Sequence, residues 1–216
     1  MSTAPARLAR FLDPDGRLTL GRVQGDVLQP VRGDLFAVLR PFGTPLSLSQ
    51  VTLLAPVRPA TIVVVHPDGR LCLKPATAVI GPGEPVRLLG GLASIEAHAC
   101  TAAVIGRTLV PETSEVAAHV LGETILCDVV APDQAMLLGG GGYDTFCPLG
   151  PWIRRGISAA LLSAVARVAG ILTLYPGDVV AVRTGEVTIA GAGECIKIAH
   201  EGLGILENPV KTRSGR

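Results

Sequence analysis

Apolar positions along this chain change their rhythm near residue 60. Before it, short segments such as Leu8-Ala9-Arg10-Phe11-Leu12, Arg17-Leu18-Thr19-Leu20-Gly21-Arg22-Val23 and Val27-Leu28-Gln29-Pro30-Val31 are separated by Asp13-Pro14-Asp15-Gly16 and Gln24-Gly25-Asp26. Strand-length runs joined by glycine-bearing turns predict an antiparallel meander, here a small N-terminal β appendage over residues 1–55. Beyond it the apolar runs become continuous: Thr61-Ile62-Val63-Val64-Val65, Ala102-Ala103-Val104-Ile105, Thr124-Ile125-Leu126-Cys127 and Asp178-Val179-Val180-Ala181-Val182. Runs of this length and branching, bounded by Gly or Pro, predict strands buried on both faces. They place the core over 56–210, followed by a polar tail over 211–216.

Two helices are expected. Pro111 to Gly122 has an acidic first turn and a terminal glycine, and Ile157 to Ala169 repeats Leu and Val at i, i+3 and i+4 before Gly170. The fold class is therefore mostly β with a few helices, α+β.

Composition narrows the picture. The chain is 48% hydrophobic and only 3% aromatic, so its core is built from Val, Leu, Ile and Ala rather than rings. A formal net charge of +1 supplies no basic field, which argues against a nucleic-acid partner. The longest apolar stretch, Ile157 to Leu174, is broken by Arg167 and Gly170, and Met1 to Pro5 begins no apolar segment. A cytoplasmic protein without a membrane partner is expected. Five cysteines without a C-x-x-C pair do not make a disulfide framework. Cys72, Cys127 and Cys195 read as small buried apolar residues.

The run Tyr143-Asp144-Thr145-Phe146-Cys147-Pro148-Leu149-Gly150-Pro151-Trp152 fits neither period and reads as a shaped loop leading into a buried edge. It resembles the DTFCPLGPW loop of the fumarylacetoacetate hydrolase family. Other fragments resemble that family in the same order: Leu53 to Pro59, Leu73-Lys74-Pro75-Ala76-Thr77-Ala78-Val79-Ile80-Gly81-Pro82-Gly83, Ala103 to Gly106, Cys127 to Gln134, Leu174 to Val180 and Gly202 to Val210. The resemblance implies a distorted β-roll or barrel with a small N-terminal β domain, assembled as a dimer. It also implies action on oxo acids, by cleavage, decarboxylation or isomerisation, with a bound divalent metal.

Several positions depart from that pattern. The family's Glu-x-Glu metal ligands align with His98 and Cys100, while its ligand Asp aligns with Asp128. Nitrogen and sulfur donors would favour Zn²⁺ over Mg²⁺. The simpler alternative is no metal at all, with His98 hydrogen-bonded and Cys100 as core filler. A cluster that includes Glu96 and a Cys-His-Asp nucleophile are further options. The family's catalytic His and Glu sit on a short helix, for which Val65-His66-Pro67-Asp68-Gly69-Arg70-Leu71 leaves no room, so His66 reads as a turn histidine. Its loop lysine aligns with Gly141, and its substrate-carboxylate loop appears as Val182-Arg183-Thr184-Gly185-Glu186. Arg183, turned inward, suits a carboxylate; Thr184 and Asp144 are the other substrate-binding candidates.

Two functions stay open. One is a degenerate-site scaffold, a homodimer or a heterodimer with an intact family paralogue, without ordinary metal-dependent hydrolysis. The other is an enzyme of altered chemistry, an isomerase, decarboxylase or cyclase acting on a small oxo or enol acid through His98, Cys100, Asp128, Arg183 and Thr184.

Overall fold

The structure is a computed structural model that describes residues 7–134 and 140–213. The readings made for Met1 to Pro5 and for the last three residues of the tail lie outside the described residues. The N-terminal segment forms β1 (Arg7–Leu12), β2 (Leu18–Gln24), β3 (Val27–Gly33), β4 (Leu39–Pro41), β5 (Leu46–Ser47) and β6 (Thr52–Leu54). There follow β7 (Ile62–Val65), β8 (Leu71–Lys74), β9 (Val79–Ile80), β10 (Val86–Leu88), β11 (Ser94–Ile105), β12 (Val120–Val130) and β13 (Cys147–Arg154). Helix α1 (Ala159–Ala169) precedes β14 (Val179–Gly191), β15 (Cys195–His200) and β16 (Gly204–Thr212).

The expected meander is present as β1, β2 and β3 in antiparallel register, and β1 continues into the core sheet by pairing with β13. The main sheet runs β4-β3-β2-β1-β13-β12-β11-β14-β7-β8, and a second sheet runs β10-β16-β15. The main sheet is open at both ends, so the architecture is a roll and not a closed barrel. Its curl is deep all the same. Lys74 at the end of β8 reaches the carbonyls of Val129 and Phe146, although β7, β14 and β11 lie between β8 and β12 in the pairing order.

Alternation explains the continuous apolar runs. Ile62, Val64, Ala102, Val104, Val179 and Ala181 face a core inside the roll, while Val63, Val65, Ala103, Ile105 and Val180 face α1. On α1, Leu161, Ala164, Val165, Val168 and Ala169 form the buried stripe that the helical spacing predicts, and Gly170 closes it.

Three sequence expectations change. Pro111 to Gly122 is not an α-helix: a turn closes through Thr113, one 3-10 turn covers Val116–His119, and β12 starts at Val120. A segment this short gains little as an isolated helix, and from Val120 its neighbours offer a full ladder on β11. Only the first part of the Tyr143 to Trp152 run is a loop; from Cys147 it is an interior strand between β1 and β12, not an edge. Cys195 lies on the exposed face of β15, with Sγ 3.6 Å from Glu207 Oε1, whereas Cys127 is buried and Cys72 half-buried. Among the described residues no helix is long and apolar enough to cross a membrane.

Candidate functional site

The site grows from the pairing of β11 with β12, which sets His98 directly opposite Asp128. Opposed residues on neighbouring strands share a face. Along β11, Ile95, Ala97 and Ala99 pack into the core beneath the second sheet, which turns Glu96, His98 and Cys100 the other way.

Asp128 is only 2% exposed and is capped on both oxygens. Lys74 Nζ lies 2.6 Å from Oδ1, and Arg183 places Nε and Nη2 2.8 and 2.5 Å from Oδ2. Burial by itself would raise the pKa of this carboxyl, but the two cations outweigh it and hold Asp128 below the usual carboxylate range. Lys74 also donates to the carbonyls of Val129 at 2.8 Å, Gly141 at 3.1 Å and Phe146 at 2.8 Å. An ammonium has three protons, so Lys74 is fully committed. Gly141 makes room for it: a Cβ there would stand 3.2 Å from Nζ.

Arg183 stands at the last regular step of the β11–β14 ladder, and β14 becomes irregular just beyond it. Cys100 pairs with Arg183, yet His98 pairs with Val187, where a regular ladder would bring residue 185. The extra residues form a bulge at Thr184-Gly185-Glu186, with Gly185 at φ +97° and Thr184 Oγ1 donating to Ala99 O at 3.1 Å. From β14 the side chain must cross the width of β11, about 5 Å, to meet a carboxylate on β12. The guanidinium therefore lies across the face that carries His98 and Cys100.

A cleft of about 240 Å³ opens over these groups, lined among others by His66, Glu96, His98, Asp128, Gly141 and Arg183. His98 Nε2 is 3.2 Å from Glu96 Oε2. A carboxylate only accepts, so this contact puts the proton on Nε2 and leaves the Nδ1 lone pair available. Burial first, and Arg183 second, lower the pKa of both His98 and His66. Both rings are neutral at pH 7, a state suited to taking up a proton.

The structure thus brings together His98, Asp128 and Arg183 from the sequence-based set. Cys100 does not line the cleft: it is 2% exposed within the inner core, its Sγ points to the carbonyl of His98 at 3.6 Å, and burial pushes its thiol well above the ordinary value. A buried, protonated thiol directed at a backbone carbonyl is no nucleophile. Thr184 spends its hydroxyl on the bulge, and Asp144 is exposed; neither lines the cleft. Sequence reasoning gave Lys74 no site role, although it closes the apolar strand Leu71-Cys72-Leu73 and stands in the family-like fragment Leu73 to Gly83. It also read His66 as a turn residue. His66 does start the β7–β8 turn, through N–H to Arg70 O at 2.9 Å, but its ring lines the cleft.

His98, Cys100 and Asp128 were the set to hold a metal if one binds, and Cys100 is turned into the core away from the cleft lining. Among the described residues no group of three or more His, Cys, Asp and Glu side chains is placed to hold a metal ion. A hard divalent cation needs several oxygen ligands, and the one buried carboxylate here has both oxygens bound to cations of the chain itself. The donor set does not fit Mg²⁺ or Mn²⁺, and without Cys100 it does not fit Zn²⁺.

Residues 62–160 match the sequence model of the fumarylacetoacetate (FAA) hydrolase C-terminal family, and residues 6–56 match that of the Rv2993c-like N-terminal family. Protein Rv2993c of Mycobacterium tuberculosis is 31% identical over 97% of this chain and 99% of its own length. The chain belongs to the fumarylacetoacetate hydrolase family. Oxaloacetate tautomerase FAHD2A, mitochondrial, of Bos taurus is 29% identical over 89% of this chain and 81% of its own. Among solved structures, the 2-hydroxyhepta-2,4-diene-1,7-dioate isomerase of Mycobacterium marinum superposes with a TM-score of 0.88, at 28% identity over 97% of this chain and all of that one.

Proposed function

We propose that this family member binds a small oxo or enol acid in the His98–Arg183 cleft and moves a proton on it, an isomerase-class reaction, instead of hydrolysing a carbon–carbon bond. The observation that carries this reading is the convergence of one unspent guanidinium edge and two neutral histidines on a single small cleft. Its volume is below that of sites for drug-sized ligands, so it suits an acid of a few carbons. Arg183 binds the carboxylate of the substrate. His98, oriented by Glu96, takes the proton from the carbon next to the carbonyl and delivers it to the carbonyl oxygen to give the enol, and the reverse transfer restores the ketone. Hydrolysis asks for an activated water, and the short β7–β8 turn has no helix to carry a base for one. The oxaloacetate tautomerase among the relatives supports the reaction class, and oxaloacetate is the first substrate to try.

The test is the keto–enol exchange of oxaloacetate, followed by enol absorbance in buffer containing EDTA. The protein is expected to accelerate exchange over buffer, and His98→Gln to remove about 100-fold of that acceleration. No acceleration by the unmodified protein, in EDTA or with added Mn²⁺, would refute the reading. Acylpyruvates with added Mg²⁺ or Mn²⁺ should remain uncleaved.

A second reading, a partner subunit, is favoured by one observation. β7 covers only Val179 to Val182 of β14, and along the remaining edge Val187 and Ile189 are 50% and 70% exposed. An unpaired strand edge with apolar side chains is suited to pairing with a second copy or with an intact paralogue. Native mass spectrometry of the protein alone, then with such a paralogue, distinguishes homodimer, heterodimer and monomer; a monomer in both removes this reading.

A further inference from the structure

The donor set around Asp128 rejects a divalent ion, yet the site is not short of positive charge. We propose that the Arg183 guanidinium is the resident cation of this site, taking the role a divalent metal would have beside Asp128, and that it presents Nη1 to the carboxylate or oxyanion of a bound oxo acid. This rests on the proposed oxo-acid cleft only for the identity of the ligand.

Four observations carry it. First, Nε and Nη2 both go to the same oxygen of Asp128, and among the described residues Nη1 has no hydrogen bond, leaving one N–H edge toward the cleft. Second, Lys74 cannot compete for a ligand, since all its protons are held by Asp128 and backbone carbonyls. It acts as a positioning residue that keeps Asp128 ionised and in place. Third, Arg183 stands opposite Cys100 in the β11–β14 ladder and lines the cleft, whereas Cys100 does not. Fourth, His98 and Glu96, the potential ligands next to Asp128 on this face, are directed to each other.

The chemistry is suited to the role. A guanidinium is always protonated, weakly hydrated and planar, so it binds a carboxylate through a fixed pair of directions. It stabilises negative charge that develops on an oxygen, as a Lewis acid does, but it cannot lower the pKa of a bound water. The replacement therefore serves proton transfer next to a carbonyl and not hydrolysis.

Oxalate, a small dianion shaped like the enolate of a 2-oxo acid, is the probe, with binding measured by calorimetry. In EDTA and in excess Mn²⁺ the unmodified protein is expected to bind it with the same affinity. Arg183→Met is expected to weaken binding by at least about tenfold. Arg183→Lys keeps the charge beside Asp128 and guards against a folding artefact; lacking a second edge, it too is expected to lose about tenfold. A separate arm needs no ligand. Mn²⁺ binding is read by electron paramagnetic resonance in His98→Glu and in the His98→Glu/Arg183→Met double variant, where removal of the guanidinium is expected to raise affinity by at least about tenfold.

Stoichiometric Mn²⁺ on the unmodified protein, oxalate binding that needs Mn²⁺ or is absent in both buffers, an Arg183→Lys protein that binds as the parent does, or equal Mn²⁺ affinity in the two variants would each overturn the inference. Its failure is separable from that of the proposed reaction. Exchange that requires Mn²⁺ keeps the reaction and removes the resident cation. Oxalate binding that depends on Arg183 without any exchange does the reverse.

Discussion

β12 carries two carboxylates, Glu123 and Asp128, that are each about 2% exposed and each bound to an arginine. Five residues apart on a strand, they face opposite sides of the sheet. Glu123 receives Arg154 Nη2 on one oxygen and the N–H of Ser158, the residue before α1, on the other, both at 2.5 Å. Both oxygens are used to tie β12 to β13 and to the start of the helix. Burial would raise the pKa of Glu123, but the Ser158 N–H and Arg154 outweigh it and hold it low, just as the cations do for Asp128. The burial, charge and pKa direction of the two carboxylates do not tell them apart. What differs is the space in front: Arg183 opens on a cleft shared with His66 and His98, and Arg154 does not. A perturbed buried ion pair is a site only where other groups converge on a volume that can hold a ligand.

The sharpest way to break this comparison is to neutralise each carboxylate in turn. Asp128→Asn leaves the Lys74 ammonium, 3% exposed, without its counter-charge, and is expected to cost about 3–5 kcal/mol in denaturant unfolding. Glu123→Gln should cost less, about 1–3 kcal/mol, because the Arg154 side chain is 28% exposed and can turn to water. It should leave oxalate binding unchanged, and a loss of binding there would erase the distinction between the two pairs.

Acid titration comes next in size. Both carboxyls have folded pKa values below the unfolded ones of about 4. Their contribution to stability is therefore fully present above that pH and is lost as pH falls through the depressed folded values. Thermal melts from pH 5 to pH 2 should fall less steeply for Asp128→Asn than for the parent, and an unchanged slope would contradict the pairing. Gly141→Ala is the smallest change. Its methyl group would press on Lys74 Nζ at 3.2 Å, at a cost of about 1 kcal/mol, and should disturb oxalate binding through Asp128 more than Glu123→Gln does.

Much of the fold was legible in residue order. The meander, the doubly buried strands and α1 followed from local spacing, because period and turn chemistry act over a few residues. The Pro111 to Gly122 segment misled because its helical signals were weak and a neighbouring strand offered more hydrogen bonds. In the site, His98 and Asp128 were legible as types in a family pattern. Lys74 was not, since it comes from the far edge of the sheet and meets Asp128 only when the roll curls. Cys100 looked like a ligand partner of His98 by its i, i+2 spacing, which is correct for the face but says nothing about what lies over it.

Residue types and their spacing were enough to read a mostly β chain of this family with His98 and Cys100 where the family pattern carries its Glu-x-Glu pair, because those are properties of single positions. Where the cations of the site sit was decided in three dimensions. The register of β14 on β11 and the curl that brings β8 over β12 place Arg183 and Lys74 on one carboxylate from residues 55 and 54 positions away in the chain. Long-range geometry of that kind is set by packing of the whole sheet, and no local pattern encodes it.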